Sequence, residues 1–254
     1  MKVISVINQK GGVGKSSAVS TLMSYFTKQG YRVLGIDTDS QGHMAKITKC
    51  QTEDMYTILE LLKNVTTFEE TVQHTKFGDV IAADNNLHLA MPQFSTMPDF
   101  IYSVLDILEK VEDKYDYVFI DCPASISVLT MATLIASNYV LIPTEVELLP
   151  LDGVQQLAST IKSVKHRVNK DLEVLGVFCI KYNARLKLTK KFDKVLEKSA
   201  KEIFNTEIIP VRIRQSVDMP TSQALQMSIF DYKPNSPVAQ DYKQLGEWIY
   251  NKIN

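Results

Sequence analysis

Residues 10–16 read Lys-Gly-Gly-Val-Gly-Lys-Ser, and this combination suits the cradling of a phosphate chain. Gly11, Gly12 and Gly14 let successive backbone N–H groups turn inward without a Cβ in the way. A helix starting after them adds the partial positive charge of its N-terminus. Lys15 would then face the β- and γ-phosphates of a nucleotide, and the Ser16 hydroxyl would complete a Mg²⁺ shell. The binding loop is expected to comprise Gly11, Gly12, Val13, Gly14, Lys15, Ser16 and Ser17. The usual Gly-x-x-x-x-Gly-Lys-[Ser/Thr] spacing is not met, because Gln9 stands where that pattern has its first glycine. This loop is a variant with an additional lysine, Lys10, at its start. A tight strand-to-helix turn with incidental lysines is the bland alternative, and the surroundings argue against it.

Those surroundings read as a βαβ unit. Residues 2–7 are β-branched and apolar, as in a strand buried on both faces. A helix is expected from about Ser16 to Gln29, closed by Gly30, and residues 32–37 form a second buried strand ending in Asp37. The whole fits within ~40 residues. Residues 117–121, Tyr-Val-Phe-Ile-Asp, are a further buried strand with Asp121 at its end, where a Mg²⁺ ligand is expected. A helix N-cap is the other reading of an acid there. Asp37 and Asp39 stand in Asp-Thr-Asp-Ser-Gln-Gly, placed to approach the metal or to orient an attacking water. A cap or turn role is the alternative for this pair.

The remaining pattern predicts helices over 56–63, 67–74, 97–112, 126–137, 151–167, 187–204, 217–227 and 236–252. Strands are expected over 139–143, 172–180 and 207–211, with one or two short ones in 78–91. Such alternation implies an α/β fold with a doubly wound, mostly parallel sheet flanked by helices, the P-loop NTPase fold, in one domain over 1–254.

With 45% apolar residues and a net charge of −1, the 254-residue chain has the composition of an ordinary globular protein not committed as a whole to a polyanion. Charge is uneven, however: residues 162–201 carry twelve Lys/Arg against four Asp/Glu, and Arg212 and Arg214 follow. Cys50, Cys122 and Cys179 are too scattered for a disulfide framework or zinc site, which fits a reducing cytoplasm. No run approaches the ~18 apolar residues of a membrane span.

Taken in order, the motifs resemble the ParA/MinD family of deviant Walker A ATPases. Residues 7–17 resemble its phosphate loop, 37–42 its Asp-x-Asp-Pro-Gln-Gly segment and 121–125 its Walker B, while 140–145 and the stretch from Ile209 match later blocks. The resemblance implies that Lys10 is the signature lysine that reaches a partner's phosphates across an ATP-sandwiched dimer. It implies that Lys15 and Ser16 serve phosphate and Mg²⁺ within the subunit, that Asp39 is linked to hydrolysis, and that Asp37 and Asp121 lie at the metal. Ser16-Ser17 replaces Thr-Thr, which keeps the hydroxyls, whereas Ser40 and Ala124 replace prolines in switch segments and bear on hydrolysis rate.

Within the family, the paired cysteines of the iron–sulfur branch are missing. The tail 242–254 has two lysines only, so a docked C-terminal helix is expected over a membrane anchor. Arg185 and Arg214 align with basic residues like the family's non-specific DNA-binding arginines. Lys187, Lys191, Lys194 and Lys198 follow helical spacing along one face, which is either a solvated face or a phosphate-binding one. The chain starts at the first strand, without a helix-turn-helix extension. The expectation is a short, Soj-like ParA partition ATPase, cytoplasmic and nucleoid-associated. It would bind Mg·ATP, form a homodimer, hold DNA non-specifically, and hydrolyse slowly under stimulation by a ParB-like protein. Alternatives are a MinD-like or protein-cluster positioning ATPase with a non-DNA cargo, a nucleotide switch with negligible turnover, and a metabolic ligase or kinase.

Overall fold

The computed structural model describes residues 1–145, 151–185 and 187–254, with the backbone alone for 151–153 and 187–192. Its strands are β1 (Lys2–Val6), β2 (Val33–Asp37), β3 (Gln73–Thr75), β4 (Gly78–Ile81), β5 (Tyr117–Asp121), β6 (Tyr139–Thr144), β7 (Glu173–Tyr182) and β8 (Ile208–Arg214). Among the described residues they form one sheet in the order β3-β4-β2-β5-β1-β6-β7-β8. Every pairing is parallel except β3 with β4, a short antiparallel edge.

Both faces are covered, so the central strands read as continuous apolar runs. Alternate residues feed two cores. Val3, Ile7, Leu34, Ile36, Val118 and Ile120 pack on one side with the helices Ser103–Glu109, Val128–Ile135 and Leu151–Arg167. Ile4, Val6, Val33, Tyr117 and Phe119 pack on the other with the helices Lys15–Lys28 and Pro237–Ile253.

The C-terminal helix is docked, as expected of the tail: Tyr242, Leu245, Ile249 and Ile253 are buried, and Ser236 caps its start. Gly246 lies flat on the ring of Tyr25, where an added Cβ would stand 2.3 Å from a ring carbon. Gly246→Ala should therefore lower the unfolding free energy by about 1–3 kcal/mol through overpacking. A denaturant titration with unchanged midpoint would show that the Tyr25 ring moves aside without cost.

The structure departs from expectation in several places. One short strand, Gly78–Ile81, falls within 78–91 as expected, but residues 86–94, for which no helix is expected, are helical, with Leu87, Ala90 and Phe94 buried at helical spacing. The helix expected over 67–74 is one turn, Phe68–Thr71, held by a Thr67/Glu70 capping box before β3 begins. A helix at His43–Thr48 was missed. It lies between left-handed Gly42 and Lys49 and is too short to show a period.

Candidate functional site

The C-terminal ends of β1, β2, β5, β6 and β7 point the same way, and in such sheets ligands bind beyond those ends. The loop leaving β1 is pinned to β6 before it turns. Ile7 N donates to Leu141 O at 3.1 Å and Asn8 Nδ2 to Pro143 O at 2.7 Å. Asn8 Oδ1 then accepts from Lys10 N at 2.9 Å and starts the turn. Gly12 and Gly14 have φ of 71° and 98°, the left-handed region that favours glycine. At Gly14 a Cβ would also stand 2.5 Å from Ile180 Cδ1. The helix Lys15–Lys28 starts at Gly14 with no side-chain cap and no acid in its first turn, which leaves its N-terminal donors to an anion.

A cleft of about 630 Å³ opens over this turn, lined on the loop side by Gly11, Gly12, Gly14, Lys15, Ser16 and Ser17. Asp39, Ser40 and Gln41 line it from the β2 end, and Pro123, Ala124 and Ser125 from the β5 end. Val13 is fully buried beneath. A larger cleft, about 1020 Å³, lies near residues 172–175 and 201–207, by the starts of β7 and β8 and away from the strand ends that carry the chemistry. The smaller one has the phosphate-binding geometry.

Asp37 and Asp121 are register partners at the ends of β2 and β5, both with no solvent exposure. Asp37 accepts from the backbone N–H groups of Asp39 (2.9 Å) and Met44 (3.2 Å), so its carboxylate organises the turn that follows. Burial pushes its pKa well up, and the neighbouring Asp121 adds to this against the pull of those two N–H groups. Among the described residues neither carboxylate oxygen of Asp121 has a hydrogen-bond partner. Burial pushes this group up to about 7, against the nearby Ser16 hydroxyl and Lys15 ammonium. The N-cap reading of Asp121 does not hold, because Ser127 caps the helix Val128–Ile135. Two orphaned, buried oxygens beside a serine hydroxyl form a hard-oxygen donor set that fits Mg²⁺. Asp39 is half-buried and accepts from Gln41 N at 3.1 Å, so the turn role expected as its alternative is present.

Three residues that sequence reasoning did not assign complete the site. Glu145, just past β6, bonds Lys10 Nζ and Lys181 Nζ at 2.5 Å each. Burial raises its pKa, but the two lysines outweigh that and hold the carboxyl below its ordinary range. Lys181, in β7, also donates to Gly12 O at 2.7 Å. Gln223 lines the cleft and donates to the Ser17 hydroxyl at 2.7 Å. All three lie 135 residues or more from the loop they touch, and no local pattern marks them.

Of the expected polyanion contacts, Arg185 is exposed in the turn after β7. Arg214 has its guanidinium on Asp241, with Nε to Oδ2 at 2.9 Å and Nη2 to Oδ1 at 2.6 Å. The side chains of Lys187, Lys190 and Lys191 lie outside the described residues; Lys194 and Lys198 are exposed on the helix Lys187–Phe204.

A family model described as an AAA domain matches residues 1–174. The chain is 30% identical over 251 residues to the chromosome-partitioning ATPase Soj of Treponema pallidum, covering 98% of this chain and 96% of that protein. It is 30% identical over 253 residues to the sporulation initiation inhibitor protein Soj of Bacillus subtilis, covering 98% of each. Among solved structures, cobyrinic acid a,c-diamide synthase from Mycobacterium smegmatis with bound ADP and magnesium superposes with a TM-score of 0.86. That match is 25% identical and covers 99% of this chain and 94% of the other. A family match across the phosphate loop and both acidic strand ends, joined to likeness with Soj over nearly the whole length, places this chain in the AAA-domain family as a ParA/MinD-type partition ATPase.

Proposed function

We propose that this protein binds Mg·ATP, dimerises on it, holds DNA without sequence preference, and releases DNA after hydrolysis stimulated by a ParB-like partner. The observation that carries the nucleotide part is Asp121: a buried carboxylate with no hydrogen-bond partner among the described residues, close to Ser16 and Lys15 at an uncapped helix start. Bound Mg²⁺ would supply charge neutralisation at the phosphates, and Ser16 and Asp121 are the residues to hold it. Asp37 already serves two backbone N–H groups and would act through the turn it organises, close to the metal. Lys15 would face the phosphate oxygens from inside the loop. Asp39, on the turn after β2, would orient the attacking water. Catalysis here is positioning and electrostatics, with no covalent intermediate.

Lys10 is held by Glu145 of its own subunit, and a partner's phosphates would draw it out of that ion pair. Closing the dimer and occupying the site then become one event, and nucleotide stabilises the dimer by mass action. Each dimer would present two copies of the basic surface around Arg185, Lys194 and Lys198, so affinity for DNA would rise through avidity. These contacts go to phosphates, so binding would be steeply salt-dependent. Nucleoid association in the cytoplasm follows from that reading. Among the described residues no helix is long and apolar enough to cross a membrane.

The test is retention of duplex DNA with ATP, ADP and no nucleotide across a salt series. Retention is expected with ATP only. Arg185→Glu should weaken it by about tenfold and lower the salt slope by about one unit per subunit. Equal retention in all three nucleotide states would end the switch reading.

A further inference from the structure

The segment 217–232 runs as a strut along the helix Lys15–Lys28. Gln223 Nε2 bonds Ser17 Oγ at 2.7 Å, the hydroxyls of Ser228 and Ser24 meet at 2.7 Å, and Asp231 bonds Lys28 Nζ at 2.5 Å. Positions 17, 24 and 28 lie seven and four residues apart, so they share one helix face. Gln226 Nε2 adds a bond to Lys46 O at 3.2 Å. The Gln223 amide is thereby held at the mouth of the nucleotide cleft by contacts spread over about three helical turns.

The direction of its hydrogen bond matters. A serine hydroxyl has one hydrogen and two acceptor sites. Gln223 fills an acceptor site, so the Ser17 hydrogen must point elsewhere, and among the described residues it donates to no protein group. Ser17 and Gln223 line the same cleft as Gly12, Lys15 and Ser16. We infer that Gln223 is a positioning residue which fixes the Ser17 hydroxyl as a donor to a phosphate oxygen of the bound nucleotide. This rests on the phosphate-loop reading above. A donor oriented in advance loses little freedom on binding, and a charged acceptor makes its hydrogen bond a strong one.

The test compares Gln223→Met, of similar length but without donor or acceptor, with Gln223→Glu, whose carboxylate accepts only and would turn the Ser17 hydrogen away from the cleft. Each is made alone and with Ser17→Ala in the full chain, and titrated with fluorescent ATP and ADP in magnesium buffer. Gln223→Met should weaken both nucleotides about threefold and Gln223→Glu about tenfold, the scale of one charge-assisted hydrogen bond. In the Ser17→Ala background Gln223→Met should have no effect, and the Gln223→Glu loss should shrink. Losses of equal size with and without the Ser17 hydroxyl would overturn the inference, because a purely structural strut or simple charge repulsion acts in both backgrounds. Lys15→Ala separates the role of Gln223 from that of the phosphate loop. If it abolishes binding while both Gln223 variants bind normally, only the role of Gln223 falls. If Lys15→Ala itself binds normally, the phosphate-loop reading falls with it.

Discussion

Arg214→Glu is expected to unfold the protein more readily, by roughly 3 kcal/mol, before any effect on polyanion binding can be read. Asp241 is buried on the C-terminal helix and takes bonds from the backbone N–H, Nε and Nη2 of Arg214. Removing the guanidinium strands that carboxylate, and a second carboxylate beside it adds repulsion. Half of the Arg214 side chain meets solvent, which screens the pair and keeps the cost at the lower end for a broken buried ion pair. The pair also ties the end of β8 to the first turns of the helix Pro237–Ile253, through Nη2 on Pro237 O at 3.1 Å. Chemical denaturation checks this. Full stability in Arg214→Glu would mean that Asp241 finds another partner, and would return Arg214 to the set of usable DNA probes. Arg185, exposed and on a turn, is the cleaner variant for that purpose.

Asp121→Asn should move stability and ligand affinity in opposite directions. The nucleotide-free protein should gain about 1–3 kcal/mol, since a fully buried carboxylate without hydrogen bonds becomes neutral. Magnesium-dependent ATP affinity should fall by about a hundredfold, as a hard anionic oxygen donor is lost beside Ser16. Calorimetric melting with and without Mg·ATP reads both quantities on the same sample. A variant that is less stable when empty would show that Lys15 and Ser16 already compensate the Asp121 charge. The expected result is an acid retained at the expense of the fold, because the ligand needs it.

The nucleotide loop was legible because it is local. Lysines, glycines and a serine in consecutive positions carry the turn, the dipole and the cation together. The sheet was legible for a similar reason, since strands buried on both faces stand out as apolar runs. What stayed hidden depends on the strand order. Glu145 and Lys181 reach Lys10 and Gly12 only because β6 and β7 follow β1 across the sheet, and Gln223 only because its strut lies against the first helix. The ion pair of Arg214 with Asp241 was hidden because nothing near Arg214 in the chain announces it. The helix over residues 86–94 went unexpected although Leu87, Ala90 and Phe94 keep a helical period, since a short apolar run fits helix and strand alike.

Placing β1 at the middle of the sheet sets an order of events during synthesis. This strand is made first, yet its neighbours are β5 and β6, and the loop beyond it hangs from Leu141 and Pro143. Contacts of such long sequence separation close slowly and late. An emerging chain can therefore pair β1 with β5 first, but it carries its phosphate grip unanchored, with the second edge of β1 open, until residues 139–143 have left the ribosome. Nucleotide is accordingly no help to the early stages of folding, and chaperones, if they act on this chain, have their work in that interval.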